Sequence, residues 1–468
     1  MTVPVISLKP SYNSVIRGCP GIADTLPRIE CQLRIRTNNG LEIRIAKIEI
    51  VLKSVESIFS QSHVSYAFTP LSKTKGKSKK NESVVVHYKK SLYITNDPHR
   101  EKNGKRVSRP LVGVDLPLTI ALPADINETN YNSRFGSCIT YLECNLYYFD
   151  IEKNGASLDG VTPEVKSFSS PVNVERYSNL PLKRLFPKID KKVYSSDKKL
   201  VALVQVENPC ITTDDLLQVN IKLSQTALGS SSETDSALFK KKPKLKGITF
   251  EMKEVFQCQN ENFESKEYVL DTETKQYNEP ITKNGIKVSN SIHICTKDVL
   301  FKEFENIMQE PELMFQLPSK PSENRPKREI ATKLLQSRSD IVPFRYHSSV
   351  TTHGKLFSIG HTFDIKLRIS SGKDFEVTIP ITITQWLKSQ IKYVQQAILQ
   401  ERETAVFAKR FYENYGGLRK NSSGTIEYPS LPPIIYEKKD PDFGKKFKTI
   451  QYTSTSGKSH MKSLPVIE

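Results

Sequence analysis

The sequence predicts an all-β protein: two tandem antiparallel β-sandwiches, immunoglobulin-like, followed by a C-terminal helix and a polar tail. Three observations lead there. Apolar and polar residues alternate with a period of two through most of the chain, the spacing of strands that bury one face. The alternating runs form two series, separated by a proline-punctuated, lysine-rich stretch near residues 179–199. A helical period begins only after Thr384, and no repeat of roughly 20–50 residues suggests a solenoid or a propeller.

In the first series Leu33 and Ile35 lead to Asn38-Asn39-Gly40, after which Leu41, Ile43 and Ile45 alternate with Glu42 and Arg44. Asn-Gly between two such runs favours a two-residue hairpin turn, because both positions take positive φ. Ile48, Ile50 and Leu52 resume the alternation after a phase slip at Ala46-Lys47, which predicts a bulge or a bend. Pro20-Gly21 fits a tight turn. Further strands are expected at residues 84–88, 92–94, 116–122 and 139–149. The polar stretches 73–80 and 97–109 resist core packing and read as mobile loops. Sandwiches tolerate such insertions at their ends, since the cost of loop closure grows slowly with length.

Residues 1–178 thus form an N-terminal sandwich and 179–198 a linker, beginning Asn179-Leu180-Pro181-Leu182. Residues 199–384 form the second sandwich, with runs at 200–206, at Leu217, Val219, Ile221 and Leu223, and at 248–256. The stretches 229–246 and 318–338 read as insertions. Phe363, Ile365, Leu367 and Ile369, then Phe375, Val377, Ile379, Ile381 and Ile383, mark two clear strands, with Ser371-Gly372-Lys373 as their hairpin loop. Pro380 within the last run predicts an edge strand or a bulge. Trp386, Leu387, Ile391, Val394, Ile398, Leu399, Val406 and Phe407 recur at helical spacing, and Gly416-Gly417 end the stripe. Residues 385–417 are therefore expected to be a helix packed on the second sandwich, and 418–468 a flexible tail with a short proline patch.

Composition limits the chemistry. The 69 Lys+Arg against 51 Asp+Glu leave a formal charge of +18, which favours acidic partners, although most lysines fall between strands, where solvated loops account for them equally well. Seven cysteines lie scattered at 19, 31, 138, 144, 210, 258 and 295 with no Cys-x-x-Cys pair, so neither a disulfide framework nor a zinc site is expected. The N-terminus lacks a basic segment followed by a long apolar run. No apolar stretch nears the ~20 residues needed to span a bilayer. A cytosolic location follows. Phosphate-binding glycine loops and Gly-x-Ser-x-Gly elbows are absent from the sequence. His347, His353 and His361 have no Cys or carboxylate spaced among them as metal ligands, and Cys138 and Cys144 share a strand face. No catalytic residue, metal or cofactor is expected. Nucleic acid is not expected either, because the basic clusters occupy loops while Tyr147, Tyr148 and Phe149 belong to a strand.

Several segments resemble a known family. Val15-Ile16-Arg17-Gly18-Cys19-Pro20-Gly21, Pro27-Arg28-Ile29-Glu30 and residues 41–52 are similar to the opening strands of α-arrestins, specifically the fungal arrestin-related trafficking adaptors. Leu116-Pro117-Leu118-Thr119-Ile120-Ala121-Leu122-Pro123, followed by Ile139-Thr140-Tyr141-Leu142, resembles the arrestin N-domain. Lys246-Gly247-Ile248, Gly360-His361-Thr362-Phe363-Asp364-Ile365 and Val377-Thr378-Ile379-Pro380-Ile381-Thr382-Ile383 resemble the closing strands of the C-domain.

The resemblance implies an adaptor that is no enzyme. Such an adaptor binds membrane transporters or other membrane proteins and recruits a HECT ubiquitin ligase, whose WW domains grip Pro-Pro-x-Tyr, for ubiquitin-dependent endocytosis. It implies a cytoplasmic protein, peripheral at the plasma membrane or endosomes, with basic residues attracted to an anionic lipid surface by ~1 kcal/mol each. The sequence departs from this pattern, since Leu431-Pro432-Pro433-Ile434-Ile435-Tyr436 holds one residue too many. In polyproline II geometry the extra residue turns the tyrosine by about a third of a turn. Pro432, Pro433 and Tyr436 are the candidate ligase-binding residues, and Lys191, Lys192, Lys198 and Lys199 the candidate contacts for acidic cargo. The alternative is an arrestin-fold scaffold without ligase recruitment, acting in a specialised membrane or sporulation process.

Overall fold

Alternating β-branched and aliphatic side chains give each strand one apolar face, and that face must find a partner layer. The computed structural model describes residues 3–10, 15–37, 40–58, 81–94, 107–132, 135–151, 161–212, 216–226, 243–259, 265–293, 350–370, 373–384, 386, 388–421, 424–438, 450–453 and 459–462. The N-terminal series comprises β1 (Pro4–Pro10), β2 (Ile16–Arg17), β3 (Arg28–Thr37), β4 (Ile43–Ile58), β5 (Glu82–Leu92), β6 (Gly113–Ala121), β7 (Asn130–Asn132), β8 (Gly136–Asp150) and β9 (Glu164–Val172). The second series begins with β10 (Ile189–Tyr194), β11 (Leu200–Val206), β12 (Cys210–Thr212), β13 (Leu216–Gln225) and β14 (Lys244–Cys258). It continues with β15 (Lys266–Pro280), β16 (Ile286–His293), β17 (Thr352–His353), β18 (Phe357–Ser370) and β19 (Phe375–Thr384). Helix α1 (Lys388–Glu413) follows, then β20 (Arg419–Lys420), β21 (Ile426–Glu427), β22 (Ile434–Tyr436), and a hairpin of β23 (Ile450–Thr453) and β24 (Ser459–Lys462).

Each sandwich has two sheets. In the first, β1-β3-β6-β22, with β2 beside β3, packs on β5-β4-β8-β7, with β9 beside β8. Ile29, Leu33, Ile35, Leu116 and Ile120 from one layer meet Ile45, Ile48, Ile50, Leu142 and Leu146 from the other. In the second, β10-β11-β13-β16 packs on β12-β19-β18-β14-β15, with β17 beside β18. Val204, Val219 and Ile221 there meet Ile248, Phe250, Phe363, Ile365 and Ile379. Burying each such side chain contributes about 1.5–3 kcal/mol. Pairing is antiparallel among these strands except between β12 and β19.

Local sequence signals reappear as geometry. The ladder of β4 with β8 shifts register between Ile45 and Lys47, where the alternation slips. Gly21 has φ 89° in its turn. Pro380 pairs with Thr362 on one side, while β12 covers only Thr382–Thr384 on the other, so its missing N–H faces an open edge. Two expectations need correction. Leu92 ends β5 rather than starting a strand of its own, and residues 189–194 are β10, so the linker is shorter than 179–198. Asn38-Asn39, Ser371-Gly372, Leu387, His347, residues 73–80 and 318–338, and most of 97–109 and 229–246 lie outside the described residues.

Glu56, late in β4, joins the two sandwiches and is 1% exposed. Its carboxylate accepts the Lys355 and Leu356 backbone N–H groups (3.1 and 2.7 Å) and the Asn127 side-chain amide (2.8 Å). A Cβ at Gly354 would sit 2.7 Å from Glu56 Oε2, so the glycine lets the loop close on the carboxylate. Beside it Asn130 Nδ2 donates to Thr352 Oγ1 at 2.8 Å, and Phe135 stacks on Phe256 with ring centroids 4.7 Å apart. Glu56→Ala strands these donors in a buried site and is expected to cost about 2–4 kcal/mol in urea unfolding of the full chain. An unchanged midpoint would show that the junction does not depend on this carboxylate.

Glu128 is also buried at this end, and burial pushes its carboxyl up to about 7, opposed by Arg176 and Asn179. The folded chain therefore keeps a proton that the unfolded chain has released, so this group's contribution is complete at low pH and is lost as pH rises towards 7. Buried His361 has the opposite sign. Its pKa falls to about 3 on burial, so its contribution is lost as pH drops below the usual histidine range. Glu128→Gln should gain on wild type by on the order of 2–3 kcal/mol between about pH 4.5 and 7, read from paired pH-dependent melts. A pH-independent difference would refute this.

Candidate partner-binding site

The Arg17-Gly18-Cys19-Pro20-Gly21 turn forms the floor on which α1 rests. Gly18 has φ 72°, and a Cβ there would lie 2.5 Å from the Thr25 carbonyl oxygen. Only glycine therefore lets the turn fold down over the short 3₁₀ turn Ala23–Thr25. Thr25 Oγ1 accepts the Cys19 N–H (2.8 Å) and donates to the Ile22 carbonyl (2.7 Å), which fixes the shape. From the helix, Glu401 accepts the Gly18 N–H at 3.1 Å and Arg402 pairs with Asp24 at 2.7 Å. Val394 and Ile398 pack with Cys19, Leu180 and Trp386. Ala405, Ala408 and Tyr412 pack with Leu26 and Tyr428. Trp386 Nε1 donates to the Arg176 carbonyl at 3.0 Å.

Helix α1 thus packs on the first sandwich and the linker, and the expected docking on the second sandwich is corrected. Residues 394, 398, 401, 405, 408 and 412, spaced by three or four, make the seam. Small alanines let the helix approach closely, and a glutamate serves as a backbone acceptor. Leu399 and Phe407, counted in the apolar stripe, lie on the outer face at 59% and 67% exposure.

The expected flexible tail also needs correction. Residues 418–421 and 424–438 lie on the first sandwich: β20 pairs antiparallel with β21, and Tyr428 packs edge-on against Tyr412, whose hydroxyl bonds Thr119 Oγ1 at 3.0 Å. Beneath them buried Arg28 pairs with Glu30 at 2.8 Å. β22 then extends the sheet antiparallel to β6, pairing Ile434 with Asp115, Ile435 with Val114 and Tyr436 with Gly113. Tyr436 is 2% exposed. Its hydroxyl donates to Asp115 Oδ2 at 2.8 Å, its ring lies 4.1 Å from the Arg36 guanidinium carbon, and its carbonyl accepts the Val112 N–H at 2.9 Å. Burial, then the bond to Asp115, pushes its hydroxyl pKa well up. Pro433 is exposed and Pro432 half-buried. The three candidate residues are therefore not one presented patch, and a WW groove reaches the tyrosine only if β22 leaves β6.

The four lysines do not form a cluster in a linker. Lys191 and Lys192 are successive residues of edge strand β10 and point to opposite faces. Lys198 and Lys199 sit at its turn into β11, and all four are exposed. Lys191 Nζ donates to the Thr378 carbonyl at 2.6 Å, Lys192 lies 5.1 Å from the Tyr194 ring centroid, and the Lys198 carbonyl accepts from Thr226 Oγ1 at 2.6 Å. Among the described residues no group of three His, Cys, Asp or Glu is placed to hold a metal. His361 is buried with Nδ1 2.9 Å from Thr351 Oγ1, and burial pushes the Cys19, Cys31, Cys144 and Cys210 thiols up to about 12.

These features define a tandem β-sandwich protein whose C-terminal segment closes one edge of its own first sheet. No family model matches the chain. It is 37% identical over 508 aligned residues to the RHO1 GEF localizing protein 1 of Saccharomyces cerevisiae (strain ATCC 204508 / S288c), with 100% of both chains covered. The chain belongs to the family of that protein.

The seam makes a prediction that a stripe of apolar letters alone would not. Ala405→Asp buries a charge against Leu26 and Tyr428 and should cost about 2–4 kcal/mol. Leu399→Ser and Phe407→Ser on the outer face should each stay within about 0.5 kcal/mol. Thermal melts of the three variants decide it, and the reverse ranking would place the seam elsewhere.

Proposed function

We propose that this chain is a non-enzymatic, arrestin-fold scaffold that holds an exchange factor for a Rho-type GTPase at its place of action, working from the cytoplasm at a membrane surface. One observation supports this above the others: the end-to-end identity with a protein named for localizing a Rho1 GEF. Because the match takes in both sandwiches and the C-terminal segment, the scaffold is shared as a whole. Among the described residues no helix is long and apolar enough to cross a membrane, so this reading has the chain attach through partners or through its basic excess of +18.

The ligase-adaptor reading shares the arrestin scaffold but asks more of it, since the tyrosine of its degenerate motif is engaged with Asp115. The scaffold reading needs no such release.

Expression of the full chain in S. cerevisiae cells lacking the relative should return a fluorescently tagged Rho1 exchange factor to its normal site, and the purified chain should bind that factor directly. A mislocalised factor together with no direct binding would sink the proposal. A WW-domain pull-down lost on Tyr436→Ala would favour the adaptor.

A further inference from the structure

The way β22 occupies the edge of β6 has the specificity of a ligand. A bare edge cap needs only backbone pairing and indifferent side chains. Here the side chains as well as the backbone of β22 are received by the first sandwich. Ile435 points inward and packs on the first core. Tyr436 points outward, with its hydroxyl on Asp115 and its ring against Arg36. Ile434 stands over Asp115 in the register. Asp115 lies on the outer face of the sheet, away from inward Val114 and Leu116, yet is 2% exposed.

The receiving groups also have partners outside β22. The Arg36 guanidinium donates to the Ile35 and Val114 carbonyls at 2.9 and 3.2 Å and forms an ion pair with Asp115. Gly113 leaves room for this: a Cβ there would lie 2.9 Å from Arg36 Cδ, so the arginine stem lies flat across the strand and makes the slot for the ring. Polar groups with partners of their own beside the edge of a sheet are the ingredients of strand-addition recognition, in which main-chain bonds supply affinity and alternate side chains supply selectivity.

We infer that the β6 edge, with Asp115 and Arg36, is a strand-addition site for a short segment of another protein that carries two aliphatic residues followed by tyrosine, and that β22 fills this site in cis. The cis strand pairs over only three residues and follows exposed Pro433. Its advantage is its tether, worth an effective concentration of about millimolar. A partner segment concentrated beside the scaffold competes on those terms.

The test uses the full chain and a labelled synthetic peptide of residues 431–438. Ile435→Asp should expel β22, and this opened chain should bind the peptide at least about tenfold tighter than wild type, whose site is filled. Replacing tyrosine by phenylalanine in the peptide, or Asp115→Asn in the opened chain, should weaken binding about tenfold, the worth of one charge-assisted hydrogen bond. Circular dichroism checks that the opened chain is folded. Tyr436→Phe, which keeps the ring and the strand, serves as the milder variant and should take up the peptide about threefold better than wild type. Equal binding to the wild-type and variant chains, or indifference to the tyrosine hydroxyl, would overturn the inference.

Discussion

A sheet that covers a core with one face still has edge strands whose backbone N–H and C=O groups lack a ladder partner. In the first sandwich the β6 edge carries this constraint, and the course of the C-terminal segment follows from meeting it. The chain leaves β19 at the junction, where Trp386 bonds the Arg176 carbonyl. The 26 residues of α1 rise about 39 Å, enough to carry it along the sandwich. There Tyr412 reaches Thr119 and β22 reaches Gly113–Asp115. The Gly18 turn is the bearing surface for this return, which accounts for a glycine at positive φ in a sharply closed turn.

The junction between the sandwiches uses a different currency from their interiors. The two cores are mostly aliphatic and are closed by apolar packing, whereas the contact between them adds to its aromatic cluster a buried carboxylate that bonds two backbone amides across the joint. Aliphatic packing is non-directional and tolerates sliding. Hydrogen bonds from Glu56 and Asn130 are directional and fix one placement. A directional joint of this kind gives the two sandwiches a defined span.

The alternation of side chains made most strands legible from sequence, because a period of two is imposed by the pleat and survives any tertiary context. The slip at Ala46-Lys47 became a register shift and Pro380 became an open edge for equally local reasons. The course of the C-terminal segment was not legible. A stripe of apolar letters does not weigh Ala405 and Ala408, whose smallness makes the seam, above Phe407, whose size suggested burial. Tyr436 posed the same difficulty, since its partners Asp115 and Arg36 are distant in sequence and sit among the polar positions of β6 and β3, where charges are ordinary. The lysines of β10 read as linker because Ile189 and Val193 give too short an alternation to stand out.

The spacing by which the segment departs from Pro-Pro-x-Tyr also explains what it does in the fold. Had the chain read Pro-Pro-x-Tyr, the tyrosine would fall at position 435, where β22 points into the first core. Its hydroxyl would then be buried among aliphatic side chains without a partner, at a cost of about 1–3 kcal/mol. The extra residue shifts the tyrosine by one strand position and so onto the opposite face, where Asp115 accepts a hydrogen bond from its hydroxyl and Arg36 meets its ring. One spacing suits a polyproline groove and the other a β-ladder, and a single tyrosine serves only one of them at a time. The register of β22 therefore decides which face receives the tyrosine, and in the described structure that register closes the sheet.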